Sequence, residues 1–246
     1  MNRRLKKHVF IPSCSLVIGD RGAGKSSFFA LVADEAVKAG MPVYCQYPFK
    51  GCYSIPMTNI VRKDGTKSYN VDKDWSYSTD LSHAVILIDE AKTVYPARAW
   101  KDWSSSDDEF FNFIRHNHMI VYLATQHSDG VDLNVRRACD ETFFITRPPL
   151  LDFFHFSYIE CSRTVNVKAA DKNFEIIGKN GSSGAYKVQW DIGEIPVGNY
   201  RFYRKPYYNK FNTDFMFYDK QPPDVQQWDD IMENDFSKKE IIVSGL

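Results

Sequence analysis

The sequence predicts an α/β protein with a mainly parallel central sheet, and three observations carry that expectation. Through about the first 146 residues, apolar runs of strand length alternate with stretches of helical spacing, the pattern of parallel strands joined by crossover helices. The first run, 15–19, leads into Gly19-Asp20-Arg21-Gly22-Ala23-Gly24-Lys25-Ser26, which fits G-x-x-x-x-G-K-[ST] and has a helical pattern directly behind it. From about Arg147 the texture changes to alternating aromatic and polar residues with a turn-like 179–184, as expected of a β-rich extension.

Taken in order, residues 25–39 are expected as a helix, with Phe28, Phe29, Leu31, Val32, Ala36 and Val37 available for its buried face. Gly40 and Pro42 stop it, and 42–47 reads as a second strand. The Gly-, Ser-, Asn- and Asp-rich stretch 48–79 reads as loop or small hairpins, and 81–88 as a buried strand. Residues 107–117 carry Phe110, Phe111, Phe113 and Ile114 at helical spacing, and 119–125 is a further apolar strand. The organisation expected is a P-loop core over 1–146, a β-rich extension packed on it over 147–220, and an acidic C-terminal tail over 221–246 that is loosely held.

Composition narrows the classes of function. The chain has 246 residues, 43% of them hydrophobic, 25% charged and 15% aromatic, which excludes wholesale disorder and low-complexity function. Its 31 basic and 31 acidic residues cancel, so any nucleic-acid contact must come from a local patch. Five cysteines without a C-x-x-C argue against a disulfide framework or a zinc ribbon, and point to a reducing cytosol. Cys45 and Cys52 with His116, His118 or His127 match no metal-ligand spacing. No segment approaches the roughly 18 apolar residues of a membrane span, so no transmembrane segment is expected. Arg3, Arg4, Lys6 and Lys7 are followed by Pro12 and Ser13, not by an apolar stretch, and read as a solvated tail.

The glycine-rich loop is a phosphate cradle. Its glycines let backbone N–H groups turn toward the α- and β-phosphates, Lys25 reaches the β- and γ-phosphates, and Ser26 is placed to ligate Mg²⁺. Ser27 adds a hydroxyl near the α-phosphate. The run Ala84-Val85-Ile86-Leu87-Ile88-Asp89-Glu90 is an apolar strand ending in two acids. Asp89 is expected to hold the metal, and Glu90 to orient and deprotonate an attacking water; the alternative for Glu90 is a solvent-facing acid at a strand end. Gln126 closes the third strand, where a strand lying between the other two would bring it to the γ-phosphate as a sensor.

With GDRGAGKSS, VILIDEAKTVYPAR, NFIRHNHMIVYLATQ, and then Asp132 and Arg136 six and ten residues past Gln126, the chain resembles the cytoplasmic domain of the Zot family, morphogenesis ATPases of filamentous phages. Arg115-His116 and residues 207–214 resemble that family's arginine–histidine pair and closing aromatic segment. The resemblance spans about residues 10–215 and implies an FtsK/HerA-like fold of the ASCE type. It also implies a homo-oligomeric ring, ATP and Mg²⁺ as nucleotide and metal, and hydrolysis coupled to export of phage DNA in the host cytosol, where an assembly or membrane-anchoring protein would be a partner. Arg136 would then be the arginine finger, with Arg137 and Arg98 as runners-up and structural salt bridging as the alternative for each.

Zot-type proteins usually continue into a membrane span, which these residues lack, so a soluble ATPase that fills a viral capsid stands beside extrusion. A nucleotide-gated adaptor without turnover is the alternative of another class, and Glu90 with Gln126 favours the enzyme. Residues 199–210 interleave cations with aromatics and contain no acid. They read either as a DNA contact through Arg201, Arg204 and Lys205, or as a half-buried strand.

Overall fold

Ser13–Ile18, buried at all but its last position, forms β1 at the centre of an eight-stranded sheet ordered β12-β9-β8-β1-β7-β6-β2-β3. The computed structural model describes residues 9–61, 67–72, 74–97, 105–147, 158–167, 176–177, 183–184, 193–207, 210 and 224–232. The basic tail at 1–7, Arg98 and most of the closing segment 207–214 lie outside the described residues.

The strands are β1, β2 (Val43–Cys45), β3 (Tyr53–Ser54), β4 (Met57–Val61), β5 (Lys67–Val71), β6 (Val85–Ile88), β7 (Ile120–Thr125), β8 (Glu141–Thr146), β9 (Tyr158–Val167), β10 (Ile176–Ile177), β11 (Ser183–Gly184) and β12 (Gly193–Tyr203). The helices are α1 (Lys25–Lys38), α2 (Trp75–Ser78), α3 (Ala91–Val94), α4 (Ser105–His116) and α5 (Leu133–Ala138). From β8 to β3 every pairing in the sheet is parallel, and β9 and β12 are antiparallel. β4 pairs with β5 in a separate hairpin, as does β10 with β11.

The expected α/β architecture is therefore the one found, including a strand inserted between the cradle strand and the acidic strand. β7 pairs with β1 on one side and with β6 on the other. A strand buried on both faces must be apolar throughout, and Val85–Ile88 and Ile120–Thr125 are buried at every position. The acidic strand begins later than its apolar run suggests, because His83 takes a left-handed conformation (φ 59°) and Ala84 N–H closes a turn onto Leu81 O.

α1 covers one face. Phe28 sits in an aromatic cluster with Tyr122, Phe143 and Phe202, at centroid distances of 5.7, 5.4 and 6.1 Å. On the other face Trp75, Val94, Ile114 and Val135, one from each of α2 to α5, pack on Leu16, Ile86 and Leu123. On α4 the buried apolar position is Ile114, while Phe113 is half exposed.

The extension meets the core edge to edge, as strands of the same sheet. The buried Arg163 Nε donates to Glu141 Oε2 at 2.8 Å across β9 and β8. The start of the acidic tail is held, not loose. Trp228 is fully buried, its backbone N–H donates to Cys52 O at 2.9 Å and its indole N–H to Cys45 O at 3.1 Å, while Ser54 N–H donates to Gln226 O at 2.7 Å. Trp228→Ala leaves a large cavity and removes an indole donor, and is expected to lower unfolding stability by about 3–5 kcal/mol in urea titration. A change under about 1 kcal/mol would mean that the tail contributes nothing to the core.

Candidate functional site

The cradle turns away from the sheet where β1 ends, and its glycines are required by contact as well as by conformation. Gly24 has φ 111°, and a Cβ there would stand 2.1 Å from Ile159 Cδ1 on β9. At Gly19 a Cβ would stand 2.5 Å from Ile145 O on β8. No side chain caps α1 and its first turn carries no acid, so the helix presents a positive N-terminal end to the loop. The buried Lys25 reaches back, its Nζ donating to Gly19 O at 2.8 Å and Asp20 O at 3.2 Å. Ala23 and Ser27 are buried, whereas Asp20, Arg21 and Gly22 face solvent.

β6 delivers the acids. Ser26 Oγ lies 3.5 Å from Asp89 Oδ2, joining the cradle to the acidic strand. Burial pushes the Asp89 carboxyl above its ordinary value, a trend that the hydrogen bond from Glu90 N–H opposes. A serine hydroxyl beside a carboxylate that burial disfavours as an anion is a hard oxygen pair suited to Mg²⁺.

Glu90 is left-handed (φ 48°, ψ 49°), a conformation uncommon for a residue with a side chain, and a turn held by Thr93 N–H donating to Glu90 O at 2.7 Å fixes it. Its Oε1 accepts from Gln126 Nε2 at 3.1 Å, and Lys92 Nζ lies 3.3 Å from Oε2. The expected metal holder, base and sensor thus stand together at the ends of adjacent strands.

Three residues at this site escape the sequence reading. Gln46 Oε1 accepts from the backbone N–H of Asp89. Tyr47 is buried beside Asp89 and Ser26, and burial and the Asp89 charge push its phenol well above the ordinary range. The third is Lys92. Polar Gln46 and Tyr47 directly after a strand neighbouring β6 were the available signal.

Other expected residues lie elsewhere. Arg136 is half buried on α5, and its Nε is buried without a hydrogen-bond partner among the described residues; Arg137 is exposed. Asp132 caps α5, accepting from Asn134 N–H at 2.7 Å. Arg115 pairs with Asp140, which follows α5 and adjoins Cys14 near the start of β1, at the end of the sheet away from the cradle. In the aromatic stretch, Tyr200 and Phe202 enter the core, Arg201 pairs with Glu160, and Lys210 pairs with Asp34. Arg204 is half buried and Lys205 exposed. All five cysteines are buried thiols. No helix among the described residues is long and apolar enough to cross a membrane.

A family model described as zonular occludens toxin (Zot) matches residues 13–148. Among solved structures, the chain is similar to the N-terminal domain of zonular occludens toxin from Neisseria meningitidis, with 15% identity and a TM-score of 0.50 over 82% of this chain and 100% of that one. It is similar at a lower TM-score, 0.40, to the genome packaging NTPase B204 from Sulfolobus turreted icosahedral virus 2 in complex with ATP-gammaS, with 14% identity over 61% of this chain and 91% of that one. No curated protein matches. The first likeness shows the fold.

The Asp89 geometry has a consequence for stability. Its folded-state carboxyl titrates above the unfolded one, so ionisation at neutral pH opposes folding, and this penalty fades as pH falls through the folded value. Asp89→Asn, which keeps the acceptor for Glu90 N–H, is therefore expected to raise the thermal midpoint of the nucleotide-free protein at neutral pH. The gain should shrink as the pH is lowered. A lower midpoint in calorimetry at neutral pH would mean that the charge is already compensated.

Proposed function

We propose that this chain, which belongs to the zonular occludens toxin (Zot) family, is an ATPase that couples ATP hydrolysis to the handling of phage or viral DNA during virion assembly. The observation that carries the enzymatic part is the Gln126–Glu90 hydrogen bond, beside Ser26 and Asp89, at the mouth of the cradle. Family membership supports the DNA-handling part.

In this reading residues 19–27 wrap the phosphates, and the Lys25 ammonium moves from the Gly19 and Asp20 carbonyls to the β- and γ-phosphates. Ser26 and Asp89 hold Mg²⁺, which supplies neutralising charge to the phosphate oxygens. Glu90 takes a proton from the attacking water as its oxygen bonds to the γ-phosphorus, and the bond to the β-phosphate oxygen breaks to release ADP. Without nucleotide, the Gln126 amide occupies one oxygen of that base; a γ-phosphate oxygen competes for the same amide, so Gln126 senses ATP and frees Glu90.

Arg136, on a short helix directly after the Gln126 loop, is the candidate finger for a neighbouring subunit in a homo-oligomeric ring. Lys205 and Arg204 are stronger candidates for DNA contact than Arg201, whose guanidinium is bonded to Glu160. The 1–146 core and the 147–220 extension act as one unit because Ile159 packs on Gly24. The host cytosol is the compartment, with assembly or anchoring proteins as further partners.

Two variants test the enzymatic reading. Lys25→Ala is expected to lose ATP binding in calorimetric titration, because backbone N–H groups alone offset little of the phosphate charge. Glu90→Gln is expected to bind ATP while phosphate release falls by a factor on the order of 10² or more, the scale of a positioned base. Parental turnover in Glu90→Gln would leave this carboxylate a bystander.

A further inference from the structure

A carboxylate that holds a metal has to be aimed, and the backbone that carries Asp89 is held from beyond the reach of the sheet ladder. β2 and β6 run parallel, with Cys45 beside Leu87. Val85 N–H donates to Pro42 O at 2.9 Å, and a parallel ladder repeats every two residues, so the same register runs on from Leu87 to Tyr44 and from Asp89 to Gln46. β2 ends at Cys45, one residue short of that last acceptor. Asp89 N–H donates instead to the side-chain Oε1 of Gln46.

Replacing a main-chain carbonyl with a side-chain one frees the chain to leave the sheet, and Tyr47 then enters beside Asp89 and Ser26. It also keeps the Ile88–Asp89 peptide in its strand orientation where β6 turns into the left-handed Glu90. Asp89 Oδ1 accepts from Glu90 N–H at 2.8 Å, which leaves Oδ2 toward Ser26. The base of Gln46 is fixed in turn, because Cys45 O accepts from Ile55 N–H at 3.2 Å and from the Trp228 indole at 3.1 Å. Gln46 is 1% exposed, out of reach of bulk water, so loss of its carbonyl leaves a buried donor without its acceptor. A neutral amide fills this place without setting a second charge beside the carboxylate.

We propose that Gln46 is a positioning residue for the metal: by holding the Asp89 N–H it keeps Oδ2 aimed at the ion that Ser26 and Asp89 share. The proposal rests on the cradle reading above, and the test separates the two. Affinity of the full chain for ADP is measured by calorimetry with Mg²⁺ and with EDTA, and the ratio of the two is the gain that the metal supplies. The parent is compared with Gln46→Met, which keeps the length of the side chain and removes the carbonyl, and with Ile114→Val, a core change on α4. If Gln46→Met does not fold, Gln46→Asn takes its place, since it stays polar and draws the carbonyl back by one methylene.

The Gln46 variant is expected to bind ADP in EDTA as the parent does and to lose about 10-fold or more of the Mg²⁺ gain, the scale of a group that orients a metal ligand. Ile114→Val is expected to keep the gain. An undiminished gain in the Gln46 variant overturns the proposal and leaves Gln46 a structural residue. A loss of equal size in EDTA overturns it too, since the defect would then lie in the phosphate loop, as does an equal fall of the gain in Ile114→Val. A parent that binds ADP no better with Mg²⁺ overturns the proposal and the metal assignment but leaves the cradle standing, and a parent that binds no ADP overturns all three.

Discussion

Paired in register with both neighbours, β7 sets Ile18 beside Thr125 and Ile88 beside Leu123. This double ladder brings the cradle, the two acids and Gln126 to one end of the sheet. In a parallel ladder each strand fixes the level of the next, so a one-residue slip would carry Gln126 away from Glu90 and exchange the side chains that pack on the two faces of the sheet. The left-handed turn at Glu90 matters only because the ladder holds its base still. Ser26 meets Asp89 for the same reason, across two strands.

The second constraint is steric. Gly24 and Gly19 leave space that Ile159 and the Ile145 carbonyl occupy, so the strands beyond β1 press on the loop that wraps the phosphates. The buried Arg163–Glu141 pair ties those strands to each other. In the proposed ATPase the extension would therefore form one wall of the nucleotide site, and movement of β9 would be felt at the glycine-rich loop. A motor that passes nucleotide state to its surface needs such a contact.

Much of this was legible in the sequence for local reasons. A phosphate loop needs glycines at fixed offsets, and strands buried on both faces need unbroken apolar runs, so β1, α1, β6 and β7 follow from a few residues each. What escaped depends on partners distant along the chain. Gln46 is recognisable only through Asp89, 43 residues on, and Trp228 only through Cys45, 183 residues back. β8, whose Glu-Thr-Phe-Phe-Ile-Thr neither alternates nor makes a long apolar run, carries no motif and becomes evident only as the partner of β1. For 199–210, alternation alone fits both a half-buried strand, the favoured reading, and a DNA contact, and the pairing of Arg201 with Glu160 is invisible until β9 and β12 are aligned.

Hydrolysis at this site driving work on DNA is the central proposal. Phosphate release from Mg²⁺-ATP by the full chain, measured alone and with single- or double-stranded DNA, addresses it most directly. Turnover that rises when one form of DNA is added is the expected result. Firm ATP binding with no phosphate release under any of these conditions would contradict it and leave a nucleotide-gated adaptor in its place.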